Sequence, residues 1–278
     1  MYEVEEKPFL SGKDLEFIYE GIKQGDRILL GEEYNRIEAQ IRLMIRYHWK
    51  RGIKEGVKGY LFFGPPGTGK TLTAFFIAYR IGALPNRTFY IDVGNIAAKY
   101  FGDPEKRLRR VFLEGKNLGR VIYIFDDAES AFFSRRLAKE AWQYSLVAVM
   151  LHEIDKIDTS KEALIMTTNM PELLDPAIKD RLYPVVFIPS LKTLIKYIDW
   201  RLEQLGIPEI REEIVEKVKV MYEDVKEDLK NIENNPEILL YDETGDVSRL
   251  LREKMPSIRR IEKMIIAKFA MNIIKKEA

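Results

Sequence analysis

The sequence predicts an α/β fold in which a parallel five-stranded sheet is flanked by helices and followed by a small all-helical lid domain. Up to residue 189, five short apolar segments alternate with amphipathic ones, which is typical of a parallel sheet with both faces covered. A glycine-rich loop directly follows the first apolar segment. After residue 190 the strand-like segments stop, and only helical periodicity remains.

Composition narrows the classes of function. The chain has 45 Lys and Arg against 44 Asp and Glu, so no overall positive charge attracts nucleic acid. It has no cysteine, which excludes disulfides and thiolate metal sites. The N-terminal MYEVEEKPF lacks the apolar core of a signal peptide, and the longest apolar runs are too short to cross a bilayer. We therefore expect a soluble, cytoplasmic protein without membrane insertion.

The α/β part can be divided into elements in chain order. Residues 1–25 are polar and mixed, and we expect a short extension with one helix. Apolar spacing predicts a helix from Glu32 to about Arg51, which Gly52 ends. The predicted strands lie in GYLFFG (59–64), TFYIDV (88–93), RVIYIFDD (120–127), ALIMTTN (163–169) and VVFIP (185–189). We expect an extension over 1–25, a nucleotide-binding α/β domain over 26–189 and a helical lid over 190–278.

Helical periodicity describes the rest of the chain. An amphipathic helix is predicted over residues 191–205, ending at Gly206. Apolar residues three or four apart then predict one long helix from about Ile210 to Ile232, which the segment ENNPE ends. Two further helices are expected from about Asp246 onward.

The glycine-rich loop predicts a nucleotide site. GPPGTGKT lies between a strand and a helix and has the pattern Gly, four residues, Gly-Lys-Thr. In that context backbone N–H groups and the helix dipole point at phosphate oxygens, which argues against a chance turn. Lys70 is placed to reach the β- and γ-phosphates, and the Thr71 hydroxyl to bind Mg²⁺. The fold is therefore a P-loop NTPase, and its predicted ATP-binding residues are Gly64, Pro65, Pro66, Gly67, Thr68, Gly69, Lys70, Thr71 and Leu72.

Two acids end the third predicted strand, VIYIFDD. Asp126 is predicted to hold the water shell of Mg²⁺, and Asp127 to orient the attacking water. Acids can also simply terminate a strand. That alternative loses weight here because a phosphate loop precedes these acids with one strand between them.

These motifs together resemble those of the AAA+ ATPases, and within them the classical AAA group. KGYLFFGPPGTGKT resembles the phosphate loop of that group, VIYIFDDAES its acidic motif, and AVMLHEID with ALIMTTNMPELLDPAIKDRL its second region of homology. The resemblance covers residues 28–190 closely and the lid loosely. It implies an ATPase that uses ATP and Mg²⁺ to remodel, thread or disassemble protein partners as a ring homo-oligomer, a hexamer.

The resemblance also implies roles for single residues. Asn169 matches the sensor that helps to place the hydrolytic water, and Arg181 the finger that reaches the γ-phosphate of a neighbour. A solvated surface arginine is the alternative for Arg181. Asp175 suits a helix N-cap and Pro176 the first helical position, so a short helix is expected to end near Arg181. Arg259 lies where many AAA+ proteins carry a lid sensor arginine.

A further match concerns a loop that lines the pore of such rings. In the family, an aromatic, a hydrophobic residue and glycine precede a helix of the E-K-x-x-R kind. The same order occurs here in Tyr100, Phe101 and Gly102, followed by Glu105, Lys106 and Arg109. An aromatic suits this task because it grips varied side chains without a sequence code. The alternative is that both rings staple the following helix to the core.

The sequence departs from the family at three places. Asp127 replaces the usual Glu, which shortens the side chain by about 1.5 Å, and such a displacement can cost roughly a hundredfold in rate. No second finger arginine follows Asp180. Arg259 replaces a small lid residue. Hydrolysis is still expected, and the Asp127 departure is the one that can make it slow.

Two other functions stay open. The first is a nucleic-acid motor or loader of the same superfamily, whose support is the basic cluster Lys106, Arg107, Arg109 and Arg110. The second is a weakly hydrolysing, ATP-dependent scaffold subunit, which the Asp127 departure supports. The substrate or adaptor is not identified by the sequence. We expect recruitment through the N-terminal extension, residues 209–245 or another protein.

Overall fold

A parallel five-stranded sheet forms the centre of the α/β part, as predicted. A computed structural model describes residues 7–97, 103–134, 136 and 141–277 of the chain. The strands are β1 (Gly59–Phe63), β2 (Thr88–Asp92), β3 (Val121–Asp126), β4 (Glu162–Thr168) and β5 (Tyr183–Val186). They pair in the order β2-β3-β4-β1-β5, and every pair is parallel. Each predicted strand segment overlaps a strand, although β5 begins at Tyr183 and shares only Val185 and Val186 with the predicted segment VVFIP.

Helices connect the strands and continue after the last strand. Their bounds are α1 (Lys13–Gln24), α2 (Glu32–Arg51), α3 (Lys70–Ile81), α4 (Val93–Ala97), α5 (Pro104–Leu118), α6 (Ala141–Asp155), α7 (Pro176–Arg181), α8 (Leu191–Leu205), α9 (Arg211–Glu223), α10 (Lys226–Asn234), α11 (Glu237–Leu240), α12 (Asp246–Lys254) and α13 (Ile258–Glu277). The helix predicted from Glu32 is confirmed and ends, as expected, at Gly52. Within the described ranges, no helix combines the length and apolar character needed to cross a bilayer.

Both faces of the sheet are covered. Helices α1, α2 and α3 pack on one face, together with strand residues such as Phe62, Ile124 and Ile165. Helices α5 and α6 pack on the other face. The single helix expected in the first 25 residues is α1, and its Leu15 and Ile18 are buried in the core of the sheet. The unit limits at residues 25 and 189 stay a prediction.

The helical part divides its buried residues between two clusters. Helices α8, α9 and α13 form a cluster of their own. Buried residues of α10, α11 and α12 instead belong to the cluster on the α5–α6 face of the sheet. The prediction of one helix from Ile210 to Ile232 is therefore wrong, because the chain turns between α9 and α10 to supply different cores. The apolar spacing of residues 210–232 suggests one helix because α9 and α10 are both amphipathic and follow each other directly.

Two cationic side chains join these later helices to the loop that follows β4. Lys179 is buried, and its Nζ donates to the carbonyl oxygens of Pro171 at 3.2 Å and Leu240 at 3.0 Å. Arg252 of α12 forms an ion pair with Glu172 at 3.0 Å. A buried charge without partners is costly. Moving α11 away from the loop would cost Lys179 a partner, and moving α12 away would do the same to Arg252, so both contacts stabilise the packing of these helices.

Candidate functional site

The candidate site lies at the carboxyl ends of β1, β3 and β4. These strands are neighbours in the sheet, in the order β3-β4-β1. The phosphate loop follows β1, the acids end β3, and Asn169 follows β4. Ligands of open parallel sheets bind at this edge. The fold thus brings together the predicted residues Lys70, Thr71, Asp126, Asp127 and Asn169, although their functional roles stay predictions.

The phosphate loop has a backbone conformation that glycine adopts without strain. Gly67 has φ 73°, and a Cβ placed there would lie 2.6 Å from the Cβ of Arg259. The Ile258 N–H donates to the Gly67 carbonyl at 3.1 Å. The start of α13 therefore rests on the loop, which places Arg259 beside the nucleotide site, where the resemblance implies a sensor. Inside the loop, the buried Thr68 hydroxyl donates to the Pro65 carbonyl at 2.9 Å.

Lys70 is the first residue of α3 and lies inside the loop. Its Nζ donates to the carbonyls of Gly64 and Pro65 and to Asn169 Oδ1, at 2.8 Å in each case. Burial lowers its pKa to about 8, against the opposing attraction of nearby carboxylates, of which Glu129 contributes most. The ammonium group is therefore held by neutral acceptors. Hydrogen bonds from it to a charged phosphate would be stronger than these.

Asp126 is the best-connected carboxylate of the site. Its Oδ1 accepts hydrogen bonds from the hydroxyls of Thr71 at 2.7 Å and Thr167 at 2.5 Å, and its Oδ2 accepts from Tyr90 at 2.9 Å. Burial, followed by the charge of Asp126, raises the pKa of the Tyr90 phenol. The hydroxyl of Thr71 and the carboxylate of Asp126 are the hard oxygen ligands that Mg²⁺ prefers.

The residues fit a magnesium ion shared with phosphates. In the described part of the chain, no group of three or more His, Cys, Asp or Glu side chains is arranged to hold a metal. Mg²⁺ commonly binds through one or two protein oxygens, water and substrate phosphates instead of a cage made of protein alone. The pair Thr71 and Asp126 meets that description.

Asp127 has an unusual backbone conformation. Its φ and ψ are both 52°, the left-handed region that Asp and Asn tolerate better than most side chains. Its Oδ1 accepts from Asn169 Nδ2 at 2.7 Å. Burial raises its pKa, and the neighbouring charge of Asp126 adds to the rise, while Lys70 opposes it. Asn169 thus bridges the predicted base Asp127 and the predicted phosphate ligand Lys70.

Three residues of the site are not predicted from the sequence: Glu129, Thr167 and Tyr90. Glu129 is 6% exposed, and its Oε1 accepts from the Asn169 backbone N–H at 3.0 Å. Burial raises its pKa. Thr167 also accepts from the Asp127 N–H at 3.3 Å, and Tyr90 contacts Asp126 as described above. Glu129 had a sequence signal, since it is the third acid of FDDAES. Tyr90 had none, because a tyrosine in a strand usually serves packing.

Arg181 lies away from these groups, on the exposed end of α7. The helix begins as predicted, with the Asp175 side chain accepting from the Ala177 N–H at 3.0 Å and Pro176 at the first position. Arg181 forms a two-pronged pair with Asp155, at 2.8 and 3.2 Å. Among the described contacts of Arg181, none reaches the phosphate loop. A role for it in catalysis requires a second subunit.

The proposed pore loop, Tyr100, Phe101 and Gly102, lies outside the described residues. The charged helix after it is α5, capped by Asp103, whose side chain accepts from the Glu105 and Lys106 N–H groups. The basic cluster on this helix is partly neutralised. Arg110 pairs with Glu114 at 2.8 Å and Lys106 with Asp103 at 3.6 Å, while Arg107 donates to the Asn95 carbonyl.

Comparison with known proteins agrees with this site. Residues 60–190 match the family described as ATPase family associated with various cellular activities (AAA). A protein of Corynebacterium diphtheriae named AAA ATPase forming ring-shaped complexes is 39% identical over 133 residues, which is 44% of this chain and 26% of that protein. Spastin of Gallus gallus is 29% identical over 175 residues, covering 61% of this chain and 28% of spastin.

An archaeal protein matches as well. The Cell division cycle protein 48 homolog of Archaeoglobus fulgidus is 33% identical over 126 residues, 45% of this chain and 17% of that protein. The matched segments thus span 17% to 28% of these relatives.

Proposed function

We propose, on the premise that residues 60–190 match the AAA family of ATPases, that the chain binds ATP with Mg²⁺, hydrolyses it, and uses the energy to remodel, thread or disassemble protein partners. The network through Asn169 is the observation that carries the proposal. Its side chain joins Lys70 to Asp127, at 2.8 and 2.7 Å. One amide therefore fixes the phosphate-binding cation relative to the carboxylate that acts on water.

The binding roles follow from the contacts. Lys70 exchanges its neutral carbonyl partners for the β- and γ-phosphates, since charge-assisted hydrogen bonds are stronger. Thr71 would bind Mg²⁺ directly, and Asp126 would hold its water shell. When bound, the metal supplies neutralisation of the charge on the phosphate oxygens. Arg259, beside Gly67, would complete the pocket from the lid side.

The hydrolytic roles belong to Asp127 and Asn169. The raised pKa of Asp127 moves it toward the operating pH, which favours a base. Asp127 accepts a proton from the attacking water, and the Asn169 amide holds the carboxylate in place. The shorter Asp side chain supports a slow rate. That is the observation in favour of the second candidate, a weakly hydrolysing scaffold.

We propose that the site is completed between subunits of a hexameric ring. Arg181 is exposed on α7, and its partners among the described residues are the Asp155 carboxylate and the Ala177 carbonyl, so it is accessible to a neighbour. A relative named for ring-shaped complexes supports assembly of this kind. A charged finger supplied by another subunit stabilises the transition state of phosphoryl transfer. The cytoplasm is the compartment we propose for this activity.

The nucleic-acid motor is the less favoured function. Its only support is the basic cluster on α5, and three of those four side chains contact acceptors of the chain itself. Paired cations attract phosphate less than free ones. A protein substrate or adaptor, still unidentified, is therefore the favoured partner.

One experiment tests the function as a whole. ATP turnover is measured with no addition, with an unfolded protein and with duplex DNA, and the oligomer size is recorded with and without ATP. We expect Mg²⁺-dependent turnover, stimulation by unfolded protein and rings in ATP. Stimulation by DNA alone, weakened by salt, would favour the motor. ATP binding without turnover would favour the scaffold.

Asp127→Asn is expected to leave ATP affinity near normal and to lower kcat by about 10²- to 10⁴-fold, because general base catalysis contributes that much. Asn tolerates the left-handed backbone at this position. Asp14→Asn is the control, since it makes the same change at an exposed acid in the first turn of α1. Single-turnover assays with labelled ATP separate binding from chemistry, and unchanged turnover would remove Asp127 from catalysis.

Asp127→Glu is expected to hydrolyse ATP at least as fast as the unchanged protein. The added methylene extends the carboxylate by about 1.5 Å. Glu at φ 52° should cost about 1 kcal/mol of stability, which the melting temperature reports separately. A large loss of kcat in a variant that melts normally would show that the pocket fits only the shorter side chain.

Tyr100→Ala is expected to preserve folding, assembly and basal turnover but to abolish stimulation by an unfolded protein. This follows if Tyr100 and Phe101 grip substrate. If they are core residues, removing one ring should cost roughly 3–5 kcal/mol and lower the melting temperature. Tyr47→Ala, which removes an exposed tyrosine of α2, is the control. Normal stimulation of the Tyr100 variant would argue against threading.

A further inference from the structure

The two oxygens of Asp126 have different partners. Both threonine hydroxyls, from Thr71 and Thr167, donate to Oδ1, whereas the phenol of Tyr90 donates to Oδ2 at 2.9 Å. Tyr90 thus holds the oxygen that neither threonine uses. Together with the two threonines, this contact fixes the orientation of the carboxylate, with one oxygen toward Thr71 and the other toward Tyr90.

Tyr90 reaches Asp126 because of the sheet register. It lies opposite Ile124 of β3, and Asp92 lies opposite Asp126. Side chains two residues apart share a face, so Tyr90, Ile124 and Asp126 point to the same side of the sheet. On that side the Tyr90 ring packs on Phe75 of α3, with centroids 5.4 Å apart. The phenol therefore connects β2, β3 and the helix that follows the phosphate loop.

The backbone of Tyr90 is held on both sides. On its other edge β2 is paired with the N-terminal segment, where Leu10 and Tyr90 exchange two backbone hydrogen bonds of 2.8 and 3.0 Å. Phe9 packs on Phe89, with ring centroids 4.5 Å apart. Tyr90 therefore occupies a fixed position inside the sheet and does not belong to a free edge.

We propose that Tyr90 is a positioning residue that orients the Asp126 carboxylate for the Mg²⁺ of bound Mg·ATP. This inference rests on the proposed function. Tyr90 retains Oδ2, and Oδ1 stays on the side of Thr71, where the water shell of the metal would form. Tyr90 would contact a side chain that serves the metal and not the metal itself. Loss of such a hydrogen-bond partner typically lowers metal affinity or activity by about 10- to 100-fold.

Tyr90→Phe tests the inference, because it keeps the ring on Phe75 and removes only the hydroxyl. We expect the Mg²⁺ concentration for half-maximal turnover to rise about 10- to 100-fold. The Mg²⁺ concentration needed for half-maximal binding of a fluorescent, non-hydrolysable ATP analogue should rise by the same factor. In EDTA, the affinity of the variant for the analogue should stay within about twofold of that of the unchanged protein. Saturating Mg²⁺ should restore most of kcat, as expected of a positioning effect.

The control is Tyr60→Phe. Tyr60 is a buried tyrosine of β1 whose hydroxyl has no hydrogen-bond partner among the described residues. It should leave both Mg²⁺ titrations unchanged. Suppose that the unchanged protein shows Mg²⁺-dependent turnover. If the Mg²⁺ titrations of Tyr90→Phe are then not shifted, or if those of Tyr60→Phe shift equally, the inference is overturned and the proposed function stands. An unchanged protein that binds no analogue at any Mg²⁺ concentration overturns the proposed function together with the inference.

Discussion

Lys70→Ala is expected to weaken ATP binding by about 100- to 10,000-fold. The ammonium would lose hydrogen bonds to two charged phosphates, each contributing about 1.5–3 kcal/mol, and a loss of 1.4 kcal/mol is tenfold in affinity. The loop backbone offers N–H dipoles but no full positive charge. Lys70 lies at the centre of the loop, where it already bonds the carbonyls of Gly64 and Pro65.

The measurement is a titration with a fluorescent ATP analogue. Lys58→Ala is the matched control, because Lys58 lies directly before β1 and also donates to a backbone carbonyl, that of Ile157 at 2.8 Å. The Lys58 variant loses one positive charge at the beginning of β1, whereas the phosphate loop follows the end of β1. The melting temperature of both variants shows whether the fold survives. Unchanged affinity in the Lys70 variant would remove the phosphate-loop interpretation altogether.

Arg181→Ala is expected to lower kcat by about 10³- to 10⁵-fold, the usual contribution of an arginine finger, with nucleotide affinity nearly intact. In the isolated chain the guanidinium pairs with Asp155 at 2.8 Å. Exposed pairs contribute little to stability, so the variant should melt normally. Arg211→Ala is a close control, since Arg211 forms a similar two-pronged pair with Asp199, at 2.6 and 3.2 Å.

A mixing experiment tests whether the finger acts between subunits. The Arg181 and Lys70 variants are each expected to be nearly inactive alone. Mixed rings would contain some interfaces with an intact loop on one side and an intact finger on the other, so turnover should partly recover. Normal turnover of Arg181→Ala alone would place the finger elsewhere, with Arg135 and Arg136 as the next candidates.

Local patterns predicted most of the fold. Apolar runs bounded by glycine or acids identified the five strands, and capping residues identified the start of α7. Two packing facts were not visible in the sequence. Helix α1 packs its apolar face, which includes Leu15, Ile18 and Ile22, on the core of the sheet, and the sequence does not specify that partner. The turn between α9 and α10 depends on which core each helix joins, and periodicity does not report a change of partner.

The site was predictable where its motifs are contiguous. Lys70, Thr71, Asp126 and Asp127 occur in two short segments with known spacing. Tyr90 and Thr167 become neighbours of Asp126 only through strand register, which a single sequence does not specify. The positive φ of Asp127 was also hidden. This backbone conformation changes the direction in which the Asp127 carboxylate points. The difference in length between Asp and Glu is therefore not enough to predict the rate.

The burial of α10, α11 and α12 in the sheet cluster affects how the chain folds during synthesis. Val225, Leu229 and Leu251 belong to the same cluster as Phe63 and Phe125, so this core, which α5 and α6 already cover in part, is not complete until about Met255 has been made. At 5–20 residues per second, the interval after the last strand lasts seconds. Throughout it a nascent chain would expose the part of this apolar core that α10, α11 and α12 later cover, which is the kind of surface that chaperones bind.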